Sequence, residues 1–188
     1  MGKYDEIKEI ESNEIKDFIF KDLKGIVFDN EILKALISQK GYKTKEEIIE
    51  FDIAKFYETK SGIIKITKIG ENVFKNCNNL KKVTLPNTIK EIEKKAFFNC
   101  KKLEEITIPE SVEIIGKAAF CGCKSLHKLT IKEGVKKIKG FAFANCPSLK
   151  EITIYKSIDI KESTFFEVIS KSSNPNAKLS YENDDDED

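Results

Sequence analysis

The chain contains no arginine and no tryptophan, and it has a single histidine among its 188 residues. All 33 basic residues are therefore lysines, which lack the planar guanidinium fork that recognises phosphates and base edges through paired contacts. This composition disfavours a nucleic-acid-binding role. The single histidine excludes a cluster of histidine metal ligands, and neither a glycine-rich phosphate loop nor a serine-centred nucleophile elbow is present.

Long apolar stretches are also missing. The chain starts with the charged sequence from Met1 to Glu6, and no apolar run follows that is long enough for a signal sequence or a membrane span. We therefore expect a cytoplasmic protein without a membrane partner. In that compartment the five cysteines would be thiols and not disulfides.

Charge is unevenly distributed along the chain, although the formal net charge is only +1. Residues 1–68 hold 13 lysines and 14 acidic residues, whereas residues 69–161 hold 18 and 10. Residues 162–188 hold two lysines and eight acidic residues. The middle of the chain is thus basic by eight charges and its end is acidic by six.

Four cysteines recur every 23 residues, and the residues around them recur at the same interval. In each unit an isoleucine is followed at fixed offsets by a phenylalanine, a cysteine, a leucine and an apolar-Thr-apolar triplet. In the second unit these residues are Ile92, Phe97, Cys100, Leu103, Ile106, Thr107 and Ile108. A unit of this length cannot bury its apolar face alone, so the units are expected to stack as a solenoid.

Each unit carries one clear strand pattern. The segment from Leu80 to Leu85 and its equivalents alternate apolar and polar residues, as a short strand does. We expect four such strands in a parallel sheet with a spacing of about 4.8 Å. A second apolar pair follows each strand, for example Ile89 and Ile92, and this return segment is open between a turn, a short strand and a 3₁₀ turn.

Polar residues one period apart should lie side by side, and two columns support that register. They are Lys82, Glu105, Lys128 and Glu151, and Lys90, Glu113, Lys136 and Asp159. Both columns alternate in sign, so neighbouring members attract. Exposed pairs contribute only about 0–1 kcal/mol each, so the columns indicate stacking and say little about stability.

The repeat closely resembles the BspA-type leucine-rich repeat over about residues 63–169. The residues that carry the resemblance are Ile106, Thr107, Ile108, Pro109, Ile115, Gly116, Ala119, Phe120 and Cys123. The resemblance implies an α/β leucine-rich-repeat solenoid with short parallel strands, a 23-residue period and a concave recognition face.

The segments on either side of the repeats are predicted to close the solenoid. Residues 28–60 are expected to form two helices, the second beginning at a capping box of Thr44 and Glu47. The run from Phe28 to Leu36 is similar to the helical N-terminal caps of internalin-like bacterial proteins. The predicted organisation is a helical N-terminal cap region (1–62), leucine-rich repeats (63–169) and an acidic, disordered tail (170–188).

Two interpretations of the acidic tail stay open. It either solvates the end of the chain or acts as an acidic mimic that binds a basic partner or shields the basic repeats.

The cysteines are expected to be buried structural thiols. Zinc sites need cysteine pairs that are close in sequence together with further ligands, whereas these cysteines are one repeat apart in the chain. Because stacked rungs bring them near each other in space, oxidation to disulfides is an alternative. Cys123 and His127 are four residues apart, but the strand pattern places the cysteine inside and the histidine at the strand edge. This placement argues against a catalytic cysteine–histidine pair. We predict no catalytic residues, no metal, no cofactor and no enzyme activity.

The outward face of the strands is the candidate partner-binding surface. Its residues are Lys82, Thr84, Glu105, Thr107, His127, Lys128, Thr130, Lys150, Glu151 and Thr153. The threonines would also occur there simply because threonine suits a strand.

A surface of this kind favours a polar protein partner, in a bacterial or phage-associated module that antagonises or inhibits the protein it binds. One alternative is a nucleic-acid binder that uses the basic repeats, although the chain lacks arginine and an aromatic stacking platform. The least favoured alternative is an enzyme. Pairing of exposed sheet edges leaves a homodimer open.

Overall fold

The computed structural model describes residues 26–28, 30, 33–34, 43–53, 58–59, 62–63, 66–155 and 178–182. The strands of these segments are β1 Ile26–Phe28, β2 Glu50–Asp52, β3 Glu58–Thr59, β4 Gly62–Ile63, β5 Ile66–Ile69, β6 Lys82–Thr84, β7 Glu91–Ile92, β8 Glu105–Ile108, β9 Ile114–Ile115, β10 Lys128–Ile131, β11 Lys137–Ile138, β12 Glu151–Tyr155 and β13 Lys178–Glu182. A 3₁₀ turn covers Lys45–Glu47.

The strands form two parallel sheets along the solenoid. The front sheet consists of the pair β2-β6 and the four-stranded block β8-β10-β12-β13, and the back sheet has the order β1-β5-β7-β9-β11. A hydrogen bond of 3.1 Å from the Glu104 N–H to the Lys81 carbonyl keeps β6 and β8 adjacent, although no strand register joins them. The short hairpin β3-β4 lies between β2 and β5 in the chain.

The register of the front sheet equals one repeat. Lys128 pairs with Glu105 on one side and with Glu151 on the other, and Thr130 pairs with Thr107 and Thr153. The predicted stacking and parallel sheet are therefore confirmed. The return segment is also resolved, because Glu91 and Ile92 form a strand of the back sheet.

The core is made of columns of identical residues. Four phenylalanines, Phe74, Phe97, Phe120 and Phe143, are fully buried and stack nearly parallel, with ring centroids 5.0, 5.0 and 5.2 Å apart. These separations match the spacing of stacked strands, about 4.8 Å, so sheet register and ring stacking support each other.

The predicted burial of the four repeat cysteines is confirmed. Each of the last three donates its thiol to the phenylalanine carbonyl one rung back: Cys100 to Phe74 at 3.1 Å, Cys123 to Phe97 at 3.4 Å and Cys146 to Phe120 at 3.3 Å. The cysteine thiols thus provide hydrogen bonds to buried carbonyl groups in addition to packing in the core.

The third side of each rung, between a back strand and the next front strand, is built of turns. We call residues 70–79, 93–102, 116–125 and 139–148 the turn side. Here the backbone N–H groups of one rung donate to carbonyls of the next, as from Phe97 to Ala119 and from Asn99 to Cys121, both at 2.8 Å. Two columns have positive φ in every rung: Asn72, Lys95, Ala118 and Phe141 form one, and Asn76, Asn99, Gly122 and Asn145 form the other. Only the second holds the residues that tolerate this conformation best.

The prediction of a second helix after Thr44 is wrong. The Thr44 side chain makes no capping hydrogen bond, the 3₁₀ turn lasts three residues, and β2 follows. The physical reason is burial with a period of two: Phe51 and Ile53 lie in the core and Asp52 between them is partly exposed. Phe51 packs edge-on against Phe74 at 5.5 Å and covers the end of the phenylalanine stack.

The helical cap is likewise not shown. The predicted first helix begins at Phe28, which is the last residue of β1. Residues 30, 33 and 34 are helical, and the rest of that predicted helix lies outside the described residues, as do residues 1–25. Instead, β1 pairs with β5 in the back sheet and β2 pairs with β6 in the front sheet. Residues assigned to a separate cap region therefore add a rung that continues both sheets.

Part of the predicted disordered tail is a strand. Lys178–Glu182 pairs parallel with β12 and extends the front sheet, so the expectation of disorder is wrong for these five residues. The rest of that tail, residues 170–177 and 183–188, lies outside the described residues.

Candidate binding face

The front sheet carries the predicted charged column on its outward side. Lys82, Glu105, Lys128 and Glu151 are all exposed and lie on successive strands. The register extends the column by one residue at each end, because Glu50 pairs with Lys82 and Glu151 pairs with Lys178. The sign of the charge thus alternates over six strands.

Sequence reasoning missed these two end members. Glu50 precedes Lys82 by 32 residues and Lys178 follows Glu151 by 27, so neither lies at the 23-residue interval. A search that allowed insertions in the terminal rungs would have found both.

The threonine column lies beside the charged one. Thr84 and Thr107 are exposed and Thr130 and Thr153 are half-buried. The Thr153 hydroxyl is 3.3 Å from that of Ser180, which continues the column onto β13. The column is therefore a continuous line of hydroxyl groups, and its role in binding stays a prediction.

The remaining predicted residues, His127 and Lys150, lie directly before β10 and β12 and are exposed. Their backbones form part of a ladder in which His127 donates to the Glu104 carbonyl at 2.9 Å and Lys150 donates to the His127 carbonyl at 3.0 Å. The His127 ring lies 3.3 Å from the Ser125 carbonyl. Cys123, by contrast, is fully buried, so the structure separates the two side chains as the sequence predicted.

Burial controls the chemistry of the thiols. It raises the pKa of the Cys77 thiol to about 12 and that of the Cys123 thiol well above its ordinary value. Both therefore stay protonated at neutral pH and are poor nucleophiles and metal ligands. Within the described residues, no three His, Cys, Asp or Glu side chains are grouped as metal ligands.

A groove of about 530 Å³ lies over the break between β6 and β8. It reaches across to β10, so both polar columns contribute to its walls. The polar lining consists of Lys82, Thr84, Asn87, Glu105, Thr107, Lys128, Thr130 and Lys132. Nothing in the repeat pattern indicated Asn87 or Lys132, since a groove created by a break in strand register leaves no periodic signal.

The three groove lysines have no carboxylate within 4.0 Å among the described residues, in contrast to lysines of the back sheet. There Lys68 contacts Glu91 at 3.0 Å, and Glu113 lies between Lys90 at 3.5 Å and Lys136 at 3.0 Å. The Lys136 and Lys90 ammonium groups lower the pKa of the Glu113 carboxyl. Within the part of the chain that the structure describes, the groove lysines are thus exposed charges available to a partner.

The positive charge of the repeats is concentrated on the turn side. Of residues 69–155, the turn-side segments hold eight lysines and two acidic residues, whereas the remainder holds eight and seven. The turn-side lysines are Lys75, Lys94, Lys95, Lys101, Lys102, Lys117, Lys124 and Lys139. The front and back sides together are therefore nearly neutral, and the basic surface foreseen for nucleic acid lies on the turn side.

No helix among the described residues has the length and apolarity needed to cross a membrane.

One solved structure with a TM-score above 0.5 supports the fold, and two further leucine-rich repeat proteins are similar with lower TM-scores. A leucine-rich repeat protein from Bacteroides ovatus is similar over 75% of this chain and 38% of its own length, with 24% identity and a TM-score of 0.55. A T. pallidum leucine-rich repeat protein is similar over 60% of each chain, with 22% identity and a TM-score of 0.46. A leucine-rich repeat protein from Bacteroides capillosus is similar over 72% of this chain and 78% of its own, with 27% identity and a TM-score of 0.42.

This chain thus spans little more than a third of the Bacteroides ovatus protein. No curated protein sequence matches it.

The family comparison agrees with the repeat that the structure displays. Residues 54–172 match the BspA type leucine rich repeat region in six copies. The match covers more than half of the chain and includes every rung from β5 to β12. The chain belongs to the BspA-type leucine-rich repeat family.

Proposed function

We propose that this chain is a protein-binding module and that its partner lies on the outward face of the front sheet. Leucine-rich repeats commonly serve as scaffolds for protein interaction, and solenoids bind through extended surfaces of this kind. The observation that carries the proposal is the groove, with its hydroxyl groups and with lysines that have no carboxylate partner among the described residues. A partner that presents carboxylates and hydrogen-bond acceptors would complement it.

The test is a pull-down and affinity measurement with two charge-inverted variants. The front variant, K82E/E105K/K128E/E151K, inverts the exposed column without changing net charge. The control, K90E/E113K, inverts a pair of the back sheet, also without net change. We expect the intact chain and the control to retain the same protein and the front variant to lose it.

Equal retention by all three chains would contradict the assignment of the face, because the partner would then contact another part of the molecule. Loss by both variants would point to general electrostatic attraction in place of a defined front surface.

Nucleic-acid binding is the second candidate, and the concentration of lysines on the turn side favours it. It predicts binding that weakens steeply with salt, with a logarithmic slope set by the number of phosphates contacted. The variant K94Q/K117Q/K124Q would then lose affinity for duplex DNA while the front variant would keep it. No measurable DNA binding by the intact chain at low salt rules this candidate out.

Inhibition of the partner is a finer form of the proposal. Once a partner with enzyme activity is identified, adding the intact chain should lower its turnover, and the front variant should leave turnover unchanged. Binding without any change in turnover would make the chain a scaffold or adaptor.

A further inference from the structure

Two charged features of the chain have no role in the interactions described above. One is the set of groove lysines, Lys82, Lys128 and Lys132, which have no carboxylate partner in the described part of the chain. The other is the run of five consecutive acidic residues at 184–188, which follows β13 after a single asparagine. We call it the acidic segment.

We propose that the groove is a site for acidic peptide segments and that its occupant in the free chain is the acidic segment itself, docked in cis. An external acidic partner would compete with it for the same lysines. The competition rests on the proposed function, whereas the docking does not.

The position of β13 places the acidic segment within reach of the groove. Because β13 runs parallel to β12, it ends at Glu182 on the same edge of the front sheet as Lys132. Lys132 directly follows β10, which is two strand spacings, about 10 Å, from β13, and Lys128 at the start of β10 lies about 13 Å further along the strand. The six residues that follow Glu182 span up to about 20 Å when extended. The length of the segment therefore allows its carboxylates to reach Lys132 and Lys128.

Charge complementarity favours this site. The groove lining carries three lysines and one glutamate, against five carboxylates in the acidic segment. The hydroxyls of Thr107 and Thr130 and the amide of Asn87 add neutral donors for carboxylate oxygens. A single exposed ion pair contributes about 0–1 kcal/mol, but a short tether gives an effective concentration in the millimolar range, so several weak pairs act together.

The turn side is more basic than the groove but is less accessible to this segment. It leads into the front strands at their amino ends, near Lys81 and His127, whereas the acidic segment leaves β13 at its carboxyl end. To reach the turn side, the segment would run back along the five residues of β13, about 16 Å. Lys132, which lies at the carboxyl edge of the sheet, is thus the groove lysine nearest to the segment and is nearer than the turn-side lysines.

The first test is zero-length carbodiimide coupling of the full chain, which joins a carboxylate to an amine only where the two are in contact. An equimolar mixture of ¹⁵N-labelled and unlabelled chain distinguishes coupling within one copy from coupling between copies. Mass spectrometry is expected to find residues 184–188 joined to Lys128 or Lys132 within single copies. Lys117 and Lys124, which are equally exposed lysines on the turn side, are the internal control.

Coupling that is no more frequent at Lys128 and Lys132 than at Lys117 and Lys124 would overturn the proposal. Coupling found only between copies would also overturn docking in cis and would assign the contact to self-association.

The second test is independent of coupling chemistry. Neutralising the segment with D184N/D185N/D186N/E187Q/D188N should shift the backbone amide resonances of Thr107, Thr130 and Lys132. The shift should be largely lost at about 1 M salt, where the Debye length falls to about 3 Å. It should also be lost in a K128Q/K132Q background and persist in a K117Q/K124Q background. Shifts confined to the turn side, or none at all, would contradict the docking.

These outcomes separate the inference from the proposed function. If neutralisation leaves the front amides unchanged but the front variant still loses a protein partner, only the docking is wrong. If the docking is observed and the partner binds the intact chain and the neutralised chain with equal affinity, the competition is wrong. An acidic peptide of residues 182–188, added to the neutralised chain, should reproduce the same amide shifts.

Discussion

The front and back sheets are built by the same repeats, yet they use their charges differently. In the back sheet, Glu91 and Glu113 each contact two lysines, so these charges form ion pairs that link the rungs. In the front sheet, a column of alternating charge faces solvent, and the groove lysines have no ion-pair partner among the described residues. The comparison shows how one period produces a structural ladder on one side and an available surface on the other.

The largest expected effect comes from the core that both sheets share. Replacing Phe120 by Ala removes a fully buried ring that stacks on Phe97 and Phe143 on either side. We expect a loss of about 3–5 kcal/mol in unfolding free energy, measured by denaturant titration. Both sheets should lose amide protection together. A loss confined to one sheet would mean that the two do not form one cooperative unit.

The next effect concerns the start of the turn side, directly after a strand of the back sheet. A Cβ on Gly116 would lie 2.5 Å from the Glu93 carbonyl carbon and 2.6 Å from the Lys94 nitrogen, both backbone atoms of the preceding rung. Gly116→Ala should therefore destabilise the chain by about 1–3 kcal/mol.

Gly140→Ala is the matched control for this glycine, because its Cβ would meet nothing within 4 Å. It should leave the unfolding free energy unchanged or raise it slightly, since alanine has fewer unfolded conformations. Equal effects at both positions would show that the close approach of rungs does not matter at Gly116.

The 23-residue repeat predicted the stacked core of this fold better than local motifs predicted its ends. The 23-residue interval determined the register of Lys128 with its two neighbours and the burial of the phenylalanine and cysteine columns. Local motifs were less reliable: Thr44 and Glu47 match a capping box, but burying Phe51 against Phe74 as part of a strand outweighs the propensity of a short helix.

The candidate site was predicted in part. The outward columns of the front strands follow from the repeat, whereas Glu50 and Lys178 lie beyond insertions of irregular length. The groove arises from a missing register between two strands, which periodicity does not encode. Charge totals over long stretches of the chain also do not reveal the basic turn side, because each rung contributes residues to three faces.

A smaller effect should distinguish the back sheet through pH. The Lys136 and Lys90 contacts lower the folded-state pKa of Glu113, so the pair stabilises the fold when the carboxyl is ionised in both states. That contribution is fully present above the ordinary glutamate pKa of about 4.3 and is lost as pH falls through the depressed folded value. Glu113→Gln should therefore lower stability at neutral pH and reduce its decline on acidification, as measured by thermal melts across pH.

Changes in the front column should have the smallest effect on stability. This prediction tests most directly whether the charges of the front sheet differ from those of the back sheet. Its members face solvent and are not held in ion pairs among themselves, so inverting all four signs removes no contact that supports the fold. We expect the front variant K82E/E105K/K128E/E151K to change the unfolding free energy by no more than about 0.5 kcal/mol, the usual range for surface substitutions. Inversion places like charges next to Glu50 and Lys178 at the two ends of the column, so any small loss should disappear when E50K and K178E are added. A loss well above this range that persists in the sixfold variant would make the front column structural, like the back one, and would remove the basis for assigning it to a partner.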